Sequence, residues 1–441
     1  MKRVLQSKKP LAGEISVPGD KSIGHRAVIF GSIAHGSSRI SNLSGGEDNQ
    51  RTVQAFKDLG VKIRSEGGSL YIEGKGWEAL TAPKNIIDCG NSGTTMRLLS
   101  GVLAGRPFTT TIDGDQSLRR RPMQRVIEPL SRMGANLIGR EGRGLAPLEI
   151  NGGKLSGIEY SMPIASAQVK SAILLAGLQA EGATVVEEPQ NSRNHTELMI
   201  KGFGGEVALD GRKVSINGGQ TLHGREVRIP GDISSAAFFL VAAALVPESQ
   251  VVVRRVGVNP TRDGVIEILR RMGAQIELLG ATIETGEPVA DLKVTGSRLR
   301  GVEIETELVA RTIDEYPILA VAAALADGVT VIDGVKELRF KESDRISAMT
   351  EGLRRLGVDV EEREDGMTIH GRETLQGNDV RSFGDHRIAM ALAIAGLRAD
   401  GGVGIDDAQC VDISFPAFFD LLDRIRLPQR LVSDSRSSGC K

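Results

Sequence analysis

The sequence predicts an α/β protein in which six copies of one unit pack as two groups of three. Three observations predict it. An Ala/Leu/Ile-rich stretch with a polar or glycine start recurs six times, a helix–Gly–strand pattern interleaves with it, and the two halves of the chain repeat each other. Such self-similarity is the signature of repeated supersecondary units.

The apolar stretches are GDKSIGHRAVIFGSIAHG from Gly19, CGNSGTTMRLLSGVLAG from Cys89, ASAQVKSAILLAGLQAEG from Ala165, GDISSAAFFLVAAALVPES from Gly231, DEYPILAVAAALADG from Asp314 and GDHRIAMALAIAGLRADG from Gly384. Successive starts lie 66 to 83 residues apart. Each is apolar on nearly all sides, which predicts a helix buried inside its domain. The second pattern reads FKDLGVKI, LSRMGANL, IKGFGGEV, LRRMGAQI and LRRLGVDV, with glycines at 60, 134, 204, 273 and 357 and a degenerate sixth copy at FFDLLDRIRL. A glycine after a helix predicts a left-handed cap, and the V/I/T alternation after it predicts a strand.

Val17-Pro18-Gly19-Asp20 recurs as Ile229-Pro230-Gly231-Asp232, 212 residues later. Proline fixes φ and glycine frees it, so the pair reads either as two surface turns or as two hinge strands between the halves; the long offset favours hinges. The expected domains are residues 19–230, and residues 231–430 together with 1–18. Residues 431–441 are polar and read as a flexible tail.

Composition narrows the function. The chain has 441 residues, 55 Lys+Arg against 56 Asp+Glu and 3 % aromatics. Near-neutral charge argues against bulk attraction to nucleic acid or membrane, and the aromatics are too few for base-stacking platforms. No apolar run approaches the ~20 residues of a spanning helix, and the first residues lack a secretory h-region. Cys89, Cys410 and Cys440 form no Cys-x-x-Cys, which predicts a reduced, cytoplasmic protein without a zinc site.

The chemistry gathers at helix starts. Lys21, Ser22 and Arg26 open the first unit, Asn91, Gly93 and Arg97 the second, Ser166 and Gln168 the third, Asp314 the fifth, Asp385 and Arg387 the sixth. A helix N-terminus offers free N–H donors and about half a positive charge, so several converging ones make an anion site without excess net charge. Two charged runs lie elsewhere. Leu118-Arg119-Arg120-Arg121-Pro122 and Lys341-Glu342-Ser343-Asp344-Arg345 read on their own as solvated surface segments. Walker, nucleophile-elbow and H-E-x-x-H motifs are absent from the sequence.

Read in order, PGDKSIGHR, GNSGTTMRLL, GDQSLRRRPM, SAQVKSA, SRNHTE, IDEYPILA, RFKESDR and GDHRIAMA resemble the 5-enolpyruvylshikimate-3-phosphate synthase family from about Pro10 to Leu427. The RRRPM and SRNHTE segments resemble its divergent second class. The resemblance implies the two-domain enolpyruvyl transferase fold, with three βαβαββ repeats per domain. It implies transfer of the enolpyruvyl group of phosphoenolpyruvate to the 5-hydroxyl of shikimate 3-phosphate, with loss of phosphate and with no metal or cofactor, by a cytoplasmic monomer. Two phosphates of about −1.5 to −2 each, plus two carboxylates, explain the abundance of cations.

By the same resemblance, Lys21, Ser22, Arg26, Ser166, Gln168, Arg193, Asp314 and Lys341 contact shikimate 3-phosphate. Lys21, Gly93, Arg121, Gln168, Arg345 and Arg387 contact phosphoenolpyruvate, and Asn91, Arg97 and Asp385 support them. Asp314 is implied as general base for the 5-hydroxyl, and Glu342 as partner for proton transfer at the methylene carbon. Lys21 is a third group able to move a proton, so the individual transfers stay open. The better-known class has a lysine three residues before the proline of Phe415-Pro416; Ile413-Ser414-Phe415-Pro416 has none. The divergent class often carries Ala where this chain has Gly93 and tolerates glyphosate, so Gly93 implies stronger glyphosate binding. The rival readings are the sister UDP-N-acetylglucosamine enolpyruvyl transferase and a non-catalytic repeat scaffold. The sister enzyme's loop cysteine has no counterpart between Asp113 and Arg125, and Asp314 and Glu342 argue against a scaffold.

Overall fold

All six apolar stretches form helices in the computed structural model, which describes residues 2–7 and 9–426. They span Lys21–Ile33, Gly93–Ala104, Ala167–Gly177, Ile233–Leu245, Tyr316–Ala324 and His386–Ala395, and nearly every residue in them is buried. Burial of each leucine, isoleucine or phenylalanine contributes about 1.5–3 kcal/mol, which explains why helices with no polar face form at all.

A small sheet accompanies each buried helix. Among the described residues five sheets have four strands and one has three. The second unit shows the pattern: Ile87–Asp88, the helix Gly93–Ala104, Thr109–Asp113, the helix Gln124–Arg132, then the antiparallel strands Asn136–Gly139 and Leu148–Asn151. The first two strands are parallel, as a helical crossover allows, and the last two close as a hairpin. The order is βαβαββ, as the family resemblance implied. Gly60, Gly134, Gly204, Gly273 and Gly357 all have φ between +81° and +109°, so the predicted left-handed caps are real. The sixth copy forms the helix Phe418–Arg426; the tail 431–441 lies outside the described residues.

Two hydrophobic cores result. One is built only from residues between Ile23 and Ile229, the other from Val4–Val17 and Ile233–Ile425. The second takes in the N-terminus because Ala12–Ser16 pairs in parallel with Gln250–Arg254, and Lys2–Val4 pairs with Val403–Ile405. Where the chain passes between the lobes, the two Pro-Gly-Asp segments pair with each other. Gly19 bridges Gly231 antiparallel, Asp20 N–H donates to the Pro230 carbonyl at 2.8 Å, and Asp232 N–H donates to the Pro18 carbonyl at 2.9 Å. No helix among the described residues is long and apolar enough to cross a membrane.

Candidate active site

All six buried helices bring N-terminal residues to one cleft of about 870 Å³ between the lobes: Lys21 and Ser22, Gly93 and Thr94, Ser166 and Gln168, Asp232 and Ser234, Asp314, and Arg387. The starts are capped in the expected way. The side chains of Asp20, Ser92, Ser166, Asp232 and Asp385 accept bonds from N–H groups of the first turn. A cap satisfies only some of the first-turn N–H groups, and the positive end of each helix dipole lies at its start.

The N-terminal lobe supplies one wall. Lys21 Nζ lies 2.6 Å from Asp48 Oδ2. Arg121 Nη2 donates to Asn91 Oδ1 at 2.7 Å, and Asn91 Nδ2 in turn donates to Asp115 at 2.7 Å, so the arginine is aimed by its neighbours. Gln168 receives a bond from Arg97 at 2.5 Å and donates to Thr94 Oγ1 at 2.8 Å, which fixes its amide between two helix starts. Burial, with Arg125 and Arg121 close by, pulls the Arg97 guanidinium down to about 9; it stays charged at neutral pH.

The C-terminal lobe supplies the other wall. Arg345, 1 % exposed, forks onto Asp385 at 2.8 and 3.3 Å and reaches Glu342 at 2.7 Å. Asp314 lies 3.5 Å from Lys341 and 3.8 Å from Arg345, while Arg387 donates to its backbone carbonyl at 2.9 Å. Three ion pairs span the cleft: Arg193 with Asp314, Arg121 with Glu342 at 3.5 Å, and Arg125 with Glu337 at 3.2 Å. Burial by itself would raise both carboxyls. For Asp314 the fields of Lys341, Arg193, Arg387 and Arg345 outweigh burial, and for Glu342 those of Arg345, Arg121, His386 and Lys21 do; both are held well below the usual range and are ionised.

Residues 5–422 match the family model for EPSP synthase (3-phosphoshikimate 1-carboxyvinyltransferase). The chain belongs to the EPSP synthase family. It is 54 % identical over 417 residues to the 3-phosphoshikimate 1-carboxyvinyltransferase of Geobacter metallireducens, covering 95 % of this chain and 97 % of that one. To the enzyme of the same name from Bacillus cereus it is 49 % identical over 415 residues, covering 94 % of this chain and 97 % of that one. The solved EPSP synthase of Acinetobacter baumannii superposes with a TM-score of 0.87 at 46 % identity, covering 96 % of this chain and 97 % of that one.

The sister-enzyme reading is not favoured by these EPSP synthase matches, and Cys89 could not serve it. Its thiol is fully buried, and burial, with Asp88 and Asp113 adding, pushes its pKa far up. Of the residues singled out from the sequence, Lys21, Ser22, Asn91, Gly93, Arg97, Arg121, Ser166, Gln168, Arg193, Asp314, Lys341, Glu342, Arg345 and Arg387 line the cleft together. Two stand behind its wall. Asp385 is buried as a helix cap and as the anchor of Arg345. Arg26, 2 % exposed, donates to the Ser22 carbonyl at 2.9 Å, Thr196 at 2.7 Å and Ser171 at 2.6 Å. Burial draws it down to about 10.

The charged runs divide. Arg119 turns to Asp113 at the surface while Arg121 enters the cleft; Asp344 caps its helix and pairs with Arg339 at 2.7 Å, while Lys341, Glu342 and Arg345 enter. Sequence reasoning missed Asp48, Arg125, Glu337 and Arg262. None sits in a repeated helix start, and the first three are found only through their partners across a turn or across the cleft. Arg262, 3 % exposed, lies 3.7 Å from Asp20, 3.4 Å from Asp232 and 3.7 Å from Glu315. It thereby joins the Pro-Gly-Asp segments of both lobes.

Proposed function

We propose that this cleft binds shikimate 3-phosphate and phosphoenolpyruvate together and transfers the enolpyruvyl group to the 5-hydroxyl, the activity of the EPSP synthase family. The observation that carries the reading is the convergence of Lys21, Arg121, Arg193, Lys341, Arg345 and Arg387 around two ionised carboxylates, Asp314 and Glu342, with both lobes contributing. A binding scaffold for polyanions has no use for those carboxylates, which repel its ligand. A reaction that adds a proton to one substrate and takes one from the other needs them.

Lys21, Ser22, Ser166, Gln168, Arg193 and Lys341 are assigned to shikimate 3-phosphate, and Lys21, Gly93, Arg121, Gln168, Arg345 and Arg387 to phosphoenolpyruvate. Arg26 serves the shikimate side by holding the Ser22 carbonyl. In the free enzyme both carboxylates are too acidic to be good bases. The incoming anions offset the surrounding cations, so the proton affinity of Asp314 and Glu342 rises as the substrates dock. Asp314 then accepts the 5-hydroxyl proton as its oxygen attacks C2 of phosphoenolpyruvate, while Glu342, having taken up a proton from solvent as its affinity rises, delivers it to the methylene carbon and takes a proton back from the resulting methyl group as the adduct collapses. The tetrahedral adduct expels phosphate, whose leaving charge Arg121, Arg345 and Arg387 stabilise.

The lobes are assigned as domains, residues 19–230 and residues 231–430 with 1–18, hinged at the paired Pro-Gly-Asp segments; the separate cores support this. The buried thiols of Cys89 and Cys410 support a reduced, cytoplasmic setting, and the chain is assigned as a monomer. Purified protein given both substrates should release one phosphate per enolpyruvyl transferred. Phosphate release with UDP-N-acetylglucosamine in place of shikimate 3-phosphate would overturn the assignment.

A further inference from the structure

Behind Arg193 lies a buried charge cluster that the chemistry above does not use. Lys170, on the helix Ala167–Gly177, places Nζ 2.6 Å from Glu188 Oε2 and 2.7 Å from Glu197 Oε1, and all three side chains are 2 % exposed. None of them lines the cleft. Desolvating three charges is costly, and apolar residues of the same volume would hold the fold as well or better, so stability alone does not account for the trio. What they touch is the loop that carries Arg193. Glu188 accepts a bond from the Ser192 hydroxyl and another from the Ser192 N–H at 3.4 Å, and Lys170 Nζ donates to the Ser192 carbonyl at 3.5 Å. The residue just before Arg193 is thus held through its hydroxyl, its N–H and its carbonyl, while the Arg193 guanidinium reaches across the cleft to Asp314.

We propose that Glu188, held by its ion pair with Lys170, is a positioning residue for the shikimate 3-phosphate end of the site: it clamps Ser192 so that Arg193 is presented to the ligand in one geometry. The proposal rests on the assignment of Arg193 to shikimate 3-phosphate. A loosened loop leaves the phosphoenolpyruvate cations untouched, because Arg121, Arg345 and Arg387 are anchored by Asn91, Asp385 and the Asp314 backbone instead. The effect of Glu188 therefore falls mainly on one substrate, the shared contact being Asp314, whose side chain meets Arg193 and whose carbonyl holds Arg387.

Steady-state kinetics of the full chain carrying Glu188→Gln, Arg193→Ala and both substitutions test this. Glu188→Gln is expected to raise the KM for shikimate 3-phosphate on the order of tenfold while the KM for phosphoenolpyruvate moves less than about twofold. The double variant is expected to be no worse than Arg193→Ala alone, because Glu188 acts through Arg193. If Arg193→Ala raises that KM and Glu188→Gln does not, or if the two effects multiply, the positioning role is wrong although the ligand assignment stands. If Arg193→Ala itself leaves the KM unchanged, the assignment fails and the proposal with it. Glu188→Asp keeps the charge beside Lys170 and draws the carboxylate back from Ser192, so it serves if the glutamine variant does not fold. Its KM for shikimate 3-phosphate should also rise selectively, and a wild-type value would overturn the proposal.

Discussion

Gly93 shows how much one missing methyl group controls. Its backbone lies in an ordinary region, so conformation does not demand glycine there. Space does: a Cβ would sit 3.1 Å from Arg97 Nη1 and 3.4 Å from Arg121 Nη1. Both atoms end flexible side chains, so Gly93→Ala should fold and instead displace the Arg97 guanidinium by a few tenths of an ångström and fill the space up to Arg121. Glyphosate and phosphoenolpyruvate would feel that shift differently. The expected outcome for Gly93→Ala is a glyphosate inhibition constant raised about tenfold or more, with a smaller rise in the KM for phosphoenolpyruvate; an unchanged inhibition constant in a rate assay would reject the argument. At this scale the sequence was a partial guide. The run Arg119, Arg120 and Arg121 read on its own as surface, and only the family resemblance singled out Arg121, the one of the three that lines the cleft. The family resemblance placed Arg26 with the ligand contacts, and the structure shows three of its five N–H groups donating to Ser22, Thr196 and Ser171.

Elements were the most legible level. A helix with no polar face can exist only inside a domain, so the six apolar stretches announced six interior helices, and the glycines after the outer helices announced their left-handed ends. The Pro-Gly-Asp pair was ambiguous in sequence between turn and hinge strand. The structure pairs the two segments across the lobes, and the packing is tight. A Cβ on Gly19 would stand 1.9 Å from the Asn42 carbonyl oxygen, which is itself backbone and cannot turn aside, and one on Gly231 would stand 2.9 Å from Val17. Gly19→Ala should therefore cost about 1–3 kcal/mol through overpacking, read as an earlier urea midpoint with an unchanged slope. A wild-type midpoint would mean that Gly19 is not packed against the Asn42 backbone. Arg262 sets the charge balance here. Burial opposes ionisation of Asp20, but Arg262, His195 and the Ile23 N–H outweigh it and hold its pKa down at about 2.

For the whole molecule the question is what keeps the lobes together. A chain of net charge −1 gathers ten of its 55 lysines and arginines, against five acidic residues, and six helix N-termini around one cleft. Those charges repel one another across the gap unless something negative lies between them. In the ligand-free protein Asp314, Glu342 and Glu337 fill that part through the three cross-cleft pairs. The most exposed of them, Arg125 with Glu337, weakens most in salt, while the buried contacts His195–Glu287 at 2.7 Å and Arg262–Asp20 at 3.7 Å join the lobes behind the cleft. On the proposed assignment, shikimate 3-phosphate brings more negative charge and bridges both walls. Small-angle scattering should show the radius of gyration falling when it is added, most clearly at high ionic strength, before phosphoenolpyruvate is present. An unchanged radius would rule out ligand-driven closure.

The sequence by itself determined the repeated unit, the buried helices, their capped and cationic starts, and with them the family, because each of these is a local pattern of a few neighbouring residues. Only the tertiary structure decided which charges meet. Arg193 with Asp314, Arg125 with Glu337, and Arg262 with Asp20, Asp232 and Glu315 are separated in the chain by tens to hundreds of residues. They are joined by the way two independently packed cores face each other, and Coulomb energy depends on distance in space, which no spacing along the chain encodes.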